Sequence, residues 1–389
     1  MAQVSTSSTT KGARPPTGPT RLGATTERLE AHVTRTLASA RSVLVTRGRW
    51  RFPALGYALR GLKTLPPPVR EPVFDIMRQR VGGALPEFRD ALRFMEAAQG
   101  VPDSRMWQRR LLLDRPRLGG VSTREIVADD ENGRLRARLY LPPADAPDAT
   151  AALVWIHGGA FLMGDLDAGE AHWVAVEVAA TGIPVLSVDY RWCLNGVHFP
   201  TPLEDVLTAW HWAVEHADEM GVTPDQLHIG GASAGGCLAA GATLWLRDHD
   251  GPMPASQCLA YPVLQGDLPP ASPDVAAELE PLQLLTPDLI GGMFANWAGD
   301  TPWDDPYLAP GHADPTGLPP TFVLTCGHDT LRRQSEPYAD RLRRAGVPVW
   351  HELLPGVTHA PLSRVGDDDG DYALFRLRAW LGGGRPAMG

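Results

Sequence analysis

A chain of 389 residues, 43% hydrophobic and 21% charged, has ample apolar material for a large core and the composition of an ordinary globular protein. Its net charge of −9, with no Lys/Arg-rich run interleaved with aromatics, argues against nucleic acid as a partner. No apolar run approaches the roughly 18 residues that a membrane span requires.

Residues 1–24 combine Ser, Thr, Pro and Gly with Lys11, Arg14 and Arg21, carry no acid before Glu27, and lack the apolar stretch of a secretory signal. They read as a disordered tail. Residues 25–115 read as helical segments broken at Pro53, Pro66 to Pro68 and Pro72, with apolar positions at helical spacing between Thr26 and Leu37. From Glu125 the period changes to two: Glu125 to Ala128, a turn over Asp129 to Gly133, and the alternating run Arg134 to Leu141 predict a β-hairpin.

Beyond it, short continuous apolar runs alternate with helical ones. Strands are expected at 151–156, 184–188, 227–229, 258–261, 321–325 and 348–353, and helices near 168–180, 202–216, 234–247, 333–345 and 371–381. Continuous apolar strands separated by helices mean an α/β protein with a mostly parallel, doubly wound sheet covered on both faces. The proline-rich stretch 267–300, with a helical segment from Asp288 to Trp297, breaks this rhythm and reads as an insertion. The run Asp367 to Asp369 reads as the N-terminal cap of the last helix.

In such a sheet, functional groups belong just after the strands. Gly231-Ala232-Ser233-Ala234-Gly235 lies between a strand and a small-residue helix, the context of a nucleophile elbow, and makes Ser233 the candidate nucleophile. Serine needs a base to take its proton during attack, and a carboxylate to orient that base. His359 and Asp329, each soon after a later strand, fit those roles in the order Ser, Asp, His. His157-Gly158-Gly159-Ala160 follows the strand ending at Ile156 and offers backbone N–H groups, with that of Ala234, to a developing oxyanion. His328, beside Asp329, reads as structural, and Trp192, Trp297 and Trp303 are candidates to line an acyl pocket. No cofactor is expected and no metal-ligating signature occurs. Cys193, Cys237, Cys258 and Cys326 lack Cys-x-x-Cys spacing and read as buried free thiols, which points to a cytoplasmic protein.

These motifs resemble the hormone-sensitive-lipase-like family of α/β-hydrolase fold esterases. The resemblance runs from about residue 122 to the C-terminus through His157 to Phe161, Val188 to Arg191, Phe199-Pro200, Leu203 to Val206, Gly231 to Gly235, Asp305 to Tyr307, Leu318 to Pro320, Asp329 to Leu331, Tyr338 to Leu342 and Gly356 to His359. It implies a catalytic domain over 116–389 and a helical cap built from 25–115 and the insertion near 267–300. It also implies a carboxylic ester hydrolase with Gly158, Gly159, Ala160 and Ala234 around the oxyanion, Gly159 and Ala160 pointing at it. The chain departs from the family pattern at Ala160, where a third glycine is usual, at Ala232, at Thr330, and over Tyr190 to His198, where Tyr-Arg-Leu-Ala-Pro-Glu-His is typical.

The expected activity is hydrolysis of short or medium acyl esters through an acyl-enzyme, with a small-molecule ester as partner and the oligomeric state left open, a homodimer included. Acyl transfer, lactone or amide hydrolysis, and non-hydrolytic elimination on the same scaffold are alternatives within enzymes. A catalytically silent ligand-binding protein is the alternative of another class.

Overall fold

The computed structural model describes residues 106–130, 133–279 and 285–383. The expected tail at 1–24 and nearly all of the helical segment 25–115 lie outside the described residues. Within them, eight strands form one sheet in the order β1-β2-β4-β3-β5-β6-β7-β8. The strands are β1 Ser122–Asp130, β2 Gly133–Leu141, β3 Ala152–Ile156, β4 Val185–Val188, β5 Leu227–Ala232, β6 Gln257–Ala260, β7 Thr321–His328 and β8 Val349–Thr358. The hairpin β1-β2 is antiparallel and joins β4 antiparallel, while β3 to β8 are parallel throughout.

Every expected strand is present, and the apolar runs explain the layering. Along β3, Ala152, Val154 and Ile156 enter one core cluster and Leu153 and Trp155 the other. Both faces of the strand are thus apolar, as a sheet sandwiched between helices requires. The helices are α1 Met106–Asp114, α2 Val174–Ala179, α3 Thr201–Glu215, α4 Ala234–Asp248, α5 Pro273–Leu279, α6 Pro287–Ala298, α7 Arg332–Arg344 and α8 Asp368–Leu381. Asp367 caps α8 by accepting from the Asp369 N–H, and Asp368, Asp369 and Asp371 fill its first turn, where negative charge meets the helix dipole favourably.

The chain runs from β3 to β4 on one side of the sheet and then crosses to β5 on the other. This reversal leaves a crevice at the carboxyl ends of β3 and β5, where an open α/β sheet accepts a ligand. The stretch expected to be an insertion supplies α5 and α6. Ile290, Phe294 and Trp297 of α6 are fully buried in the main core cluster, so this helix is packed into the body rather than laid over it.

Candidate active site

Ser233 sits between β5 and α4 at φ 53°, ψ −115°, a region that a residue with a Cβ enters only under strain. The sharp turn is possible because the residues two positions away on either side, Gly231 and Gly235, lack side chains. A Cβ on Gly231 would lie 2.3 Å from the Gly235 carbonyl oxygen, and one on Gly235 would lie 2.1 Å from that of Ile156. Both contacts are with backbone, which cannot swing aside.

β7 runs three residues further than its apolar run suggested, to His328, and delivers Asp329 directly at its end. β8 likewise continues to Thr358 and delivers His359. The structure brings the three candidate side chains into line: His359 Nε2 lies 3.0 Å from Ser233 Oγ, and His359 Nδ1 lies 2.6 Å from Asp329 Oδ2. Asp329 is buried, and its Oδ1 accepts from the Leu331 N–H at 3.0 Å, so the carboxyl cannot rotate away. Burial presses the imidazole toward its neutral form, but the charge and hydrogen bond of Asp329 outweigh it and hold His359 above its usual pKa range. His328, the last residue of β7, stands opposite Thr358 of β8 in the sheet register.

The His157 turn can be followed peptide by peptide. A trans peptide points its N–H away from its C=O, so whatever holds the oxygen aims the hydrogen. The Gly158 oxygen accepts from His157 Nδ1 at 2.7 Å and from the Tyr190 hydroxyl at 3.2 Å, which fixes the Gly159 N–H. The Gly159 oxygen accepts from the N–H groups of Leu162 at 2.9 Å and Met163 at 3.0 Å, which fixes that of Ala160. The Ser233 oxygen accepts from Gly236 at 3.0 Å, Cys237 at 3.2 Å and Val263 at 3.2 Å, which fixes that of Ala234. None of these three N–H groups has a hydrogen-bond partner among the described residues.

Gly158 is different and corrects the sequence expectation. Its N–H donates to Glu170 Oε2 at 2.9 Å, so it is committed inside the protein and not offered to an oxyanion. Trp297 is corrected too: it is fully buried, stacked on Phe161 with ring centroids 4.6 Å apart, and belongs to the core rather than to a pocket wall. Two residues behind the elbow, Glu170 and Tyr261, carry no motif that marks them in the sequence. Glu170 lies in a stretch read simply as helix, where one acid resembles a solvated face, and Tyr261 ends a strand whose apolar pattern it continues.

A mostly parallel sheet that carries a serine elbow, an acid and a histidine in that chain order defines an α/β-hydrolase. Known proteins agree: a family model described as alpha/beta hydrolase fold matches residues 153–363. The carboxylesterase NlhH of Mycobacterium tuberculosis is 36% identical over 228 residues, which are 57% of this chain and 69% of that protein. The ethyl acetate hydrolase of Pseudomonas putida is 33% identical over 229 residues, 58% of this chain and 70% of that protein. The solved esterase of Pyrobaculum calidifontis matches with a TM-score of 0.62 at 27% identity, covering 79% of this chain and 97% of that one.

The chain therefore belongs to the α/β-hydrolase fold family, in its hormone-sensitive-lipase-like branch, and is a carboxylic ester hydrolase. Among the described residues no helix is long and apolar enough to cross a membrane.

Proposed function

We propose that the chain hydrolyses small esters of short or medium acyl chains, with Ser233 as nucleophile, His359 as general base and then acid, and Asp329 as the group that orients it. The observation that carries this reading is the relay from Ser233 Oγ through both nitrogens of His359 to Asp329 Oδ2, with spacings of 3.0 and 2.6 Å. As Oγ attacks the ester carbonyl its proton passes to Nε2, and the Nδ1–H bond to Asp329 stabilises the imidazolium. Negative charge then collects on the carbonyl oxygen, where the N–H groups of Gly159, Ala160 and Ala234 receive it. The Nε2 proton goes to the departing alkoxide oxygen, leaving an acyl group on Ser233. Water repeats the sequence, with His359 taking its proton, and frees the acid.

The name of the Pseudomonas relative, an ethyl acetate hydrolase, supports a short acyl group. Buried, unbridged Cys193, Cys237, Cys258 and Cys326 support a cytoplasmic location, and the net charge of −9 supports the absence of nucleic acid among the partners. Ser233→Ala should lower turnover of p-nitrophenyl acetate and butyrate by about 10⁴-fold or more, since only binding and the oxyanion donors remain. Retained activity would overturn the assignment. A series of p-nitrophenyl esters should peak at short or medium length, and a maximum at long chains would refute that part of it.

A further inference from the structure

Glu170 occupies a single π-helical turn, Gly169–Trp173, just ahead of α2. Insertions of this kind re-aim side chains and recur at functional sites. Here the turn directs a carboxyl group inward, into the wall behind the elbow, where Glu170 is buried. Each of its polar ends is engaged: Oε2 accepts from the Gly158 N–H at 2.9 Å, Oε1 accepts from the Tyr261 hydroxyl at 2.8 Å, and its backbone oxygen accepts from Trp155 Nε1 at 2.6 Å. The fit leaves no slack, since a Cβ on Gly158 would stand 2.4 Å from Oε2 and 3.1 Å from the Ser233 Cβ. On its far side the Tyr261 ring meets His359 edge to face, with centroids 5.1 Å apart.

Burying a carboxyl costs several kcal/mol unless its partners compensate. An apolar side chain could fill the space behind the turn without that cost. What an apolar residue could not do is hold the Gly158 N–H. The Gly158 residue is pinned at both ends, its oxygen by His157 and Tyr190 and its nitrogen by Glu170. Without Glu170 the His157–Gly158 peptide keeps, among the described residues, only the Tyr190 hydroxyl on its carbonyl oxygen, at 3.1 Å, and the turn from which the Gly159 and Ala160 N–H groups project is loosened at its start.

We propose that Glu170 is a positioning residue of the hydrolytic reaction: by accepting the Gly158 N–H and being anchored in turn by Tyr261, it holds the Gly159 and Ala160 N–H groups where the oxyanion forms. This rests on the reading of the site given above. It assigns Glu170 no contact with substrate, so its contribution is felt in the transition state and not in the binding of the ground-state ester.

The test compares Glu170→Leu, Glu170→Gln, Tyr261→Phe and Ser233→Ala with the unaltered protein, using p-nitrophenyl butyrate kinetics, the affinity of a trifluoromethyl ketone that adds to serine as a tetrahedral analogue, and thermal melting. Glu170→Leu fills the space without an acceptor, and its kcat should fall about 10- to 100-fold with KM within about twofold, the scale of a misplaced catalytic group. Affinity for the ketone should fall in parallel. Glu170→Gln restores an acceptor for Gly158 and a donor for the Tyr261 oxygen, and should recover kcat to within about tenfold of the parent.

A Glu170→Leu protein with unaltered kcat, a loss carried by KM alone, or no recovery in Glu170→Gln would overturn the proposal. If Glu170→Leu does not fold, Tyr261→Phe decides, because it frees Oε1 while leaving the carboxyl in place. A fall in its kcat at constant KM supports the assignment, and unaltered kcat and ketone affinity overturn it. Ser233→Ala separates the two levels of the reading. If that variant stays active, the site itself is wrong. If it is inactive while Glu170→Leu matches the parent, only the role of Glu170 is lost.

Discussion

Ser233 at φ 53° is one of a run of non-glycine residues around the site in the left-handed region, with Ala160 at φ 56°, Phe161 at φ 61° and Ala360 at φ 61°. Each such residue costs about 1–2 kcal/mol, so the active-site edge of the sheet carries strain that the surrounding core must offset. Ala160 illustrates the trade. It keeps the N–H of the third glycine usual in the family and adds a methyl to a backbone position that glycine would occupy without strain. The histidine carries a sharper consequence. Attack requires neutral His359, and Asp329 holds the imidazole above its ordinary range against the opposing effect of burial. The basic form is therefore lost as pH falls through that raised value, and the acid limb of kcat/KM should lie above the ordinary histidine value of about 6.5. Asp329→Asn removes the charge and favours the wrong tautomer. It should lower kcat by about 10³- to 10⁴-fold and move the acid limb to lower pH. A pH–rate profile of both proteins checks it, and an unmoved limb would remove Asp329 from the account of that shift.

At the scale of elements, the loop after Tyr190 departs most from the family pattern, and α6 explains how it is held. Asn296 Nδ2 donates to the Cys193 oxygen at 2.8 Å, His198 Nδ1 donates to the Asn296 oxygen at 2.6 Å, and the Phe199 N–H donates to the Trp297 oxygen at 2.8 Å. The Cys193 N–H in turn donates to the oxygen of Phe161, the residue after the Ala160 turn, and Phe161 stacks on Trp297. Helix α6 thus supports both the loop and the turn. Trp297→Ala should cost about 3–5 kcal/mol in a urea titration, the range for a large buried aromatic, whereas Trp297→Phe should cost much less. A Trp297→Ala midpoint close to the parent would mean that α6 is peripheral. This coupling was invisible in the sequence, because it joins residues about a hundred positions apart through backbone oxygens that any side chain could accompany. The strands were legible because parallel strands are apolar on both faces and read as unbroken runs, and Ser233, Asp329 and His359 because each follows one. Gly158 was misjudged for the opposite reason. Its N–H looks free in a His-Gly-Gly turn, and only the tertiary structure places Glu170 against it.

At the scale of the molecule, the sheet's back layer is joined to the segment before β1 by a cluster of charges. Glu177 of α2 is fully buried and meets Arg115 at 2.5 Å, Arg117 at 2.5 Å and Arg378 of α8 at 3.1 Å, while Arg115 also holds Asp371 at 2.5 Å. Three elements distant in sequence converge on one carboxylate. Burial works against the charged form of Glu177, yet the guanidiniums of Arg115 and Arg117 prevail and keep its pKa below the usual glutamate value. Removing the charge strands its partners, although the three arginines remain 23%, 50% and 24% exposed, so water recovers part of the loss. Glu177→Gln should therefore cost about 2 kcal/mol near neutral pH, less than the breaking of a fully buried pair. The pH dependence separates charge from packing. Because the folded-state value is depressed, the stabilisation is complete above the unfolded glutamate value of about 4.3 and is lost as pH falls through the folded one. The gap in urea midpoint between parent and variant should then be widest at pH 7 and shrink below about pH 4.3, where the parent loses the charge that the variant never had. A gap that stays constant into acid would mean that Glu177 contributes through shape and hydrogen bonds alone, and that the three elements are held together by the apolar contacts around it.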